Sequence, residues 1–366
     1  MTVVVPDYIS DIESYQGGKP IKEVAREIGI PENKIIKLAS NENPLGISPR
    51  AQAAIKNGID EGFRYPDGNG YYLKQELSRK FSIDSNRIIL GNGSNDILEI
   101  AARTVLSPGD EVIYSEHAFA VYEIVTKSSG AHGIVAPADN YGHNLESFLS
   151  LITNKTKLIF IANPNNPTGT LIDKLTLKSF ITQVPENILV ILDEAYDEYL
   201  HDDDKSIAFS WLAEFKNILI SRSFSKAYGL AGLRVGYGVG SINMVELMNR
   251  VRQPFNVNHF AQLAAIESLK DDEFIKKSRV INNQGLKLIS SAFKKLSLEY
   301  IPSYGNFISF KLQDEKCAMM YYHHLLNNGV IIRPIANYGL PSFLRVSIGL
   351  ESENNSFIKY LSNCKI

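Results

Sequence analysis

The apolar positions of this 366-residue chain fall into two textures. Between about residues 47 and 255, short and nearly unbroken apolar runs alternate with stretches of helical periodicity. The runs at 87–90, 111–114, 157–162, 187–192 and 217–220 do not alternate apolar with polar residues. That pattern predicts strands buried on both faces, hence a mainly parallel sheet between helix layers. After Asn256 the texture changes. Helical patterns over 260–269 and 272–296 precede β-like pieces at 306–310, 329–333 and 344–347, which predicts a smaller α+β unit. Pro6, Gly17, Gly18 and Pro20 break up the first residues, and a short amphipathic helix over 21–28 is stopped by Gly29. The chain is therefore expected to divide into an N-terminal arm (1–45) packing on the small unit, a large α/β domain (46–257) and a small C-terminal α+β domain (258–366).

Composition adds exclusions. A net charge of −2 and a pI of about 6.4 give no reason to expect nucleic acid or an anionic membrane as partner. The first residues are too briefly apolar for a signal peptide, and no stretch has transmembrane length. Cys317 and Cys364 lie far apart in sequence, which favours a reduced, cytoplasmic compartment while leaving a single disulfide open. The seven histidines lack metal-ligand spacing, and the acidic run 202–204 reads as a solvated loop. No internal repeat or low-complexity segment occurs.

Candidate chemistry collects where strands end, the edge at which open α/β sheets bind ligands. After the run at 217–220 comes Ser221-Arg-Ser-Phe-Ser-Lys226, followed by Arg234. The Lys226 amine suits a Schiff base with an aldehyde cofactor, and Ser223, Ser225 and Arg234 suit that cofactor's phosphate. A solvated lysine in a polar loop is the alternative. Gly91-Asn-Gly-Ser-Asn95 opens a helix and offers an anion site without the third glycine of a dinucleotide motif. Asp193 closes the run at 187–192, either as a helix N-cap or as a carboxylate beside a pyridinium nitrogen, with Tyr196 able to turn toward the same ring. Asn163-Pro-Asn-Asn-Pro-Thr-Gly169 is either a proline-stiffened loop or a device presenting Asn166 to a phenolate oxygen.

Taken together, Asn-Pro-Thr-Gly169, Asp-Glu-Ala-Tyr196 and Ser-Phe-Ser-Lys226 with Arg234 resemble the fold-type I pyridoxal-phosphate aminotransferases over nearly the whole chain. Leu38-Ala-Ser-Asn-Glu-Asn-Pro-Leu-Gly46 and Arg64-Tyr-Pro-Asp67 bring it nearest to the histidinol-phosphate branch. The resemblance implies a mainly parallel seven-stranded sheet with a smaller C-terminal domain. It also implies a homodimer and pyridoxal 5'-phosphate as cofactor. By the same resemblance Lys226 forms the imine and moves the proton, Asp193 pairs with the ring nitrogen, Tyr196 and Asn166 bond the ring's 3-oxygen, and Phe119 stacks on the ring. The Ser94 and Asn95 amides join Ser223, Ser225 and Arg234 at the phosphate, reached by Tyr65 from the neighbouring subunit. Arg345 takes the substrate anion, helped by Arg333, Tyr15 and Asn43. The implied reaction is amino transfer between histidinol phosphate and 2-oxoglutarate, giving imidazole acetol phosphate and glutamate, in histidine biosynthesis. An aromatic-amino-acid aminotransferase, a phosphothreonine decarboxylase and a non-catalytic cofactor-binding regulator are the alternatives.

Overall fold

In the computed structural model, which describes residues 3–15 and 17–364, the expected apolar runs become the strands of a seven-stranded sheet. Met1, Thr2 and Gln16 of the expected arm, and Lys365 and Ile366 of the expected C-terminal domain, lie outside the described residues. The strands are β1 (Ile88–Gly91), β2 (Glu111–Ser115), β3 (His132–Ala136), β4 (Thr156–Ala162), β5 (Leu189–Asp193), β6 (Ile218–Ser223) and β7 (Gly236–Gly240). Their order is β1-β7-β6-β5-β4-β2-β3, parallel throughout except for β7, which runs antiparallel to both neighbours. Every residue of β5 and β6 is buried, as strands covered by helices on both faces must be.

Two strands escape the sequence pattern. β3 lies at the sheet edge and is mostly exposed, so its apolar signal is thin. β7 is three-fifths glycine, a composition that weakens any strand signal. The glycines answer to crowding: a Cβ on Gly236 would lie 2.5 Å from the Ser94 amide nitrogen and 2.9 Å from the Arg222 carbonyl oxygen.

The register decides where the chemistry sits. Ala162 of β4 pairs with Asp193 of β5, which pairs with Ser221 of β6, so β4 and β5 end level and β6 runs two residues further at the same edge. Helix α1 (Ser94–Val105) follows β1 and helix α2 (Ala120–Ser128) follows β2, both starting at that same edge.

The C-terminal part carries a four-stranded antiparallel sheet of β8 (Tyr300–Ile301), β9 (Phe307–Lys311), β10 (Arg333–Pro334) and β11 (Phe343–Ser347), ordered β8-β9-β11-β10. Phe310 packs with Phe293 and Phe357 from the helices Asp272–Lys295 and Glu351–Ser362. The single β-like piece expected at 329–333 is two pieces. Val330–Ile331 pairs in parallel with Ile36–Lys37 of the arm, whereas Arg333–Pro334 joins the small sheet. The chain changes neighbours at Ile332, which a continuous apolar run cannot reveal. Because Arg345 pairs with Arg333 across β10 and β11, two guanidinium groups start from adjacent backbone positions.

Among the described residues no helix is long and apolar enough to cross a membrane, and no cluster of three or more His, Cys, Asp or Glu could hold a metal. Cys317 and Cys364 are free thiols. Asp202–Asp204 forms a 3-10 turn whose Asp202 pairs with Lys205 at 2.9 Å.

Candidate active site

At the carboxyl edge of the sheet the ends of β4, β5 and β6 and the starts of α1 and α2 converge on a cavity of about 230 Å³, closed on its far side by β10, β11 and the arm. One end of it is an anion cradle. Gly93 precedes α1 with φ +87°, and a Cβ there would collide with the Arg234 guanidinium. Glycine thus lets a cation reach the helix start, where the first amides are unpaired and the helix dipole is positive. Arg234 Nη1 donates to Ser225 Oγ at 3.2 Å, and the Ser225 amide donates to Ser223 Oγ at 3.0 Å. Ser94, Asn95, Ser223, Ser225 and Arg234 all line the cavity. Amides, hydroxyls and one guanidinium around a small opening are the donor set of a phosphate monoester.

Lys226 lies three residues beyond β6, between the cradle and Asp193. Its Nζ donates to the Ser40 carbonyl at 3.4 Å and stands 5.6 Å from the Tyr196 ring centre. Burial, reinforced by the Arg345 and Arg234 charges, pulls the amine down to about 8, while Glu42 and Asp193 pull the other way. A lysine brought near neutrality is a usable nucleophile and base. Burial pushes the Asp193 carboxyl up to about 6, opposed by hydrogen bonds from Tyr122 and the Ala195 amide and by the Lys226 charge. Tyr196 is carried up to about 12 by burial, against the Arg345 charge and a hydrogen bond from Asn41.

The opposite wall is cationic too. Arg345 Nη1 donates to Asn166 Oδ1 at 2.5 Å and its Nη2 to the Ala39 carbonyl at 2.8 Å, while Nε is buried without a partner among the described residues. An unsatisfied buried donor on a guanidinium is costly unless a ligand meets it. Arg333 lines the same wall, its guanidinium 5.8 Å from the Tyr15 ring centre. Cradle, lysine, acidic carboxylate and arginine wall together fit a phosphorylated aldehyde held covalently beside an anionic substrate.

Two expected site residues lie elsewhere. Tyr65 is 82% exposed, stacked on Phe255 with ring centres 4.7 Å apart, and is outside the cavity. Asn43 does not line the cavity; its Nδ2 donates to the Ala227 carbonyl at 2.7 Å and to Ser278 Oγ at 2.8 Å, which braces the loop after Lys226. The asparagine that does face the cavity is Asn41. It sits at φ +54°, and its Nδ2 donates to the Tyr196 hydroxyl at 3.0 Å. Tyr122 also went unassigned: its hydroxyl donates to Asp193 Oδ2 at 2.9 Å. Its signal was a polar-tipped aromatic on the buried face of α2, common enough in cores to carry no chemistry by itself.

Comparison with known proteins agrees with this geometry. The family model described as aminotransferase class I and II matches residues 33–361. A histidinol-phosphate aminotransferase of Methylobacillus flagellatus is 56% identical over 356 residues, covering 97% of this chain and 96% of that protein. A second such enzyme, from Nitrosospira multiformis, is 51% identical and covers 98% and 91%. Among solved structures, histidinol-phosphate aminotransferase from Sinorhizobium meliloti in complex with pyridoxal-5'-phosphate superposes with a TM-score of 0.91, covering 100% of this chain and 99% of that one at 24% identity, which speaks for the fold. With a family match over most of its length and relatives above half identity across nearly all of it, this chain belongs to the class I and II aminotransferases.

Proposed function

We propose that this protein is a histidinol-phosphate aminotransferase using pyridoxal 5'-phosphate, exchanging an amino group between histidinol phosphate and 2-oxoglutarate to give imidazole acetol phosphate and glutamate. The observation that carries this reading is the 56% identity to an enzyme of that name over nearly the full length of both chains. When bound, the cofactor supplies the electron sink that makes a substrate Cα–H acidic.

The chain's own residues then have defined work. Lys226 anchors the cofactor aldehyde and afterwards takes the proton from substrate Cα and returns it, its amine lowered from 10.5 to about 8 by burial. Ser223, Ser225, Arg234 and the amides of Ser94 and Asn95 hold the phosphate. Asp193 keeps the ring nitrogen protonated, Tyr196 and Asn166 donate to the 3-oxygen, and Phe119 covers one face. Arg345, with an unused Nε and with Arg333 as its cross-strand neighbour, binds the substrate anion. A guanidinium accepts carboxylate and phosphate with the same fork, so one wall serves both glutamate and histidinol phosphate.

Tyr65 belongs to the cofactor site of a second subunit in this reading. Ile59, Phe63, Tyr71 and Tyr72, close to it in sequence, are strongly exposed as well, and large apolar and aromatic side chains of this kind are what an interface core buries. The working unit is thus a homodimer, placed in the cytoplasm and built from the arm (1–45), large domain (46–257) and small domain (258–366). Tyr65→Phe is expected to weaken cofactor retention roughly tenfold, the worth of one hydrogen bond to a charged group, with the dimer intact. Equilibrium dialysis and solution mass measurement test this, and unchanged retention refutes the cross-subunit role.

The substrate assignment is tested by the half-reaction. Holo-protein without any keto acid is mixed with histidinol phosphate, or separately with phenylalanine, while the visible absorption of the bound cofactor is followed. Rapid bleaching by histidinol phosphate and slow bleaching by phenylalanine is the expected result. The reverse order moves the protein to aromatic amino-acid chemistry.

A further inference from the structure

Tyr122 has no part in the roles described above, yet its surroundings single it out. It is completely buried on the inner face of α2. Its ring lies parallel to that of Phe160 on β4, centres 4.5 Å apart and planes within 1°. Its edge meets Phe119, centres 6.0 Å apart at 88°. Its hydroxyl, the one polar atom of the side chain, donates to Asp193 Oδ2 at 2.9 Å. This phenol therefore touches two of the side chains assigned to the cofactor ring, the carboxylate at its nitrogen and the aromatic on its face.

We propose that Tyr122 is the positioning residue of the cofactor ring site, fixing the Asp193 carboxylate through its hydroxyl and the Phe119 plane through its ring edge. This inference rests on the pyridoxal-phosphate reading given above.

The chemistry supports a tyrosine over any apolar residue here. The other contact to Asp193 is the Ala195 amide, donating to Oδ1 at 3.3 Å, a long bond that leaves that oxygen open to the cavity. Removal of the Tyr122 hydroxyl leaves Oδ2 buried without its donor, and a buried carboxylate stripped of a donor drifts toward its neutral form. Burial already lifts this carboxyl, and the Tyr122 bond is the largest influence holding it down. A neutral Asp193 cannot keep a ring nitrogen protonated. The charged and titratable groups facing Asp193 are Tyr122 from α2, Lys226 from the loop after β6, and Tyr196 from the turn after β5. Of these only Tyr122 donates to the carboxylate without itself being assigned to cofactor or substrate.

Tyr122→Phe deletes the hydroxyl and keeps both ring contacts. In the holoenzyme we expect about tenfold weaker retention of pyridoxal phosphate, the scale of a hydrogen bond to a charged group. We also expect a comparable fall in kcat with KM for the amino donor unchanged, and a displaced pH course of the bound cofactor's visible absorption. In an Asp193→Asn background the same change should add nothing to the loss of retention, because Tyr122 acts through the carboxylate. A merely structural role would lower the melting temperature of the cofactor-free protein but would leave the absorption titration and the kcat against KM split alone. Retention and titration identical to the parent overturn the proposal. So does a loss of equal size in the Asp193→Asn background. A parent protein that takes up no pyridoxal phosphate overturns the cofactor reading itself, and this inference with it.

Discussion

Replacing Lys226 by alanine is expected to abolish turnover, lowering the rate of the half-reaction by at least about 10⁴-fold, because one side chain supplies both the covalent anchor and the proton relay. The fold should survive. Among the described residues Lys226 contributes a single 3.4 Å hydrogen bond to the Ser40 carbonyl and no ion pair, so the substitution strips little from the scaffold. Single-turnover absorbance with histidinol phosphate measures the effect, and retained transamination would remove Lys226 from its role. The parent protein offers a pH signature of the same residue. Only the unprotonated amine attacks an aldehyde, and burial with the Arg345 and Arg234 charges lowers this amine to about 8. The rate at which cofactor-free protein captures pyridoxal phosphate should rise as pH increases through about 8, well below the 10.5 of an ordinary lysine. A rate still climbing steeply at pH 10 would contradict the buried, charge-flanked setting of the amine.

Arg222→Met is expected to cost about 3–5 kcal/mol of stability, the largest structural effect among single changes near the site. Arg222 on β6 sends Nε and Nη2 to Glu194 Oε2 at 3.0 and 2.8 Å and Nη1 to Asp197 Oδ2 at 3.0 Å. Its guanidinium lies 4.4 Å from the Phe209 ring centre and 5.6 Å from that of Phe81. All three charged groups are buried, and Glu198, also buried, has both carboxylate oxygens without a partner among the described residues and is pushed up to about 7 by burial. Methionine fills the slot between the two aromatic rings but leaves Glu194 and Asp197 as unpaired buried carboxylates. That loss, and not lost packing, dominates. Since Glu194 follows Asp193 and Asp197 follows Tyr196, the damage falls on the segment that presents both cofactor contacts. Denaturant unfolding of the cofactor-free protein measures the change. Adding Glu194→Gln to Arg222→Met should recover part of it, because one of the stranded charges is gone. A loss below about 1 kcal/mol would mean that water reaches the cluster and screens it.

How much of this could be read from the chain alone follows from what each signal reports. An unbroken apolar run such as 187–192 states that both faces of a strand are covered, and a polar residue closing it states where the covering ends. Repeated at 87–90, 157–162 and 217–220, that statement yields a parallel sheet with chemistry at one edge, and Lys226, Asp193 and the Gly91–Asn95 helix start were legible for this reason. The lysine-centred motif left a solvated loop open as an alternative, and it was the resemblance it carries together with Asn-Pro-Thr-Gly169 and Asp-Glu-Ala-Tyr196 that named the chemistry.

The tertiary structure decided the rest, because local pattern reports burial and never the identity of a distant neighbour. Pairing register set Asp193 level with Ala162 and Ser221, and it set Arg333 beside Arg345. A left-handed residue turned Asn41 into the cavity and left Asn43 to brace the lysine loop. The hydroxyl of Tyr122 met a carboxylate 71 residues away, and Tyr65 was left exposed. Sequence determined which residues were equipped for the chemistry. Register, backbone handedness and packing across the chain determined which of them meet, since each is a property of two segments at once and is written in neither.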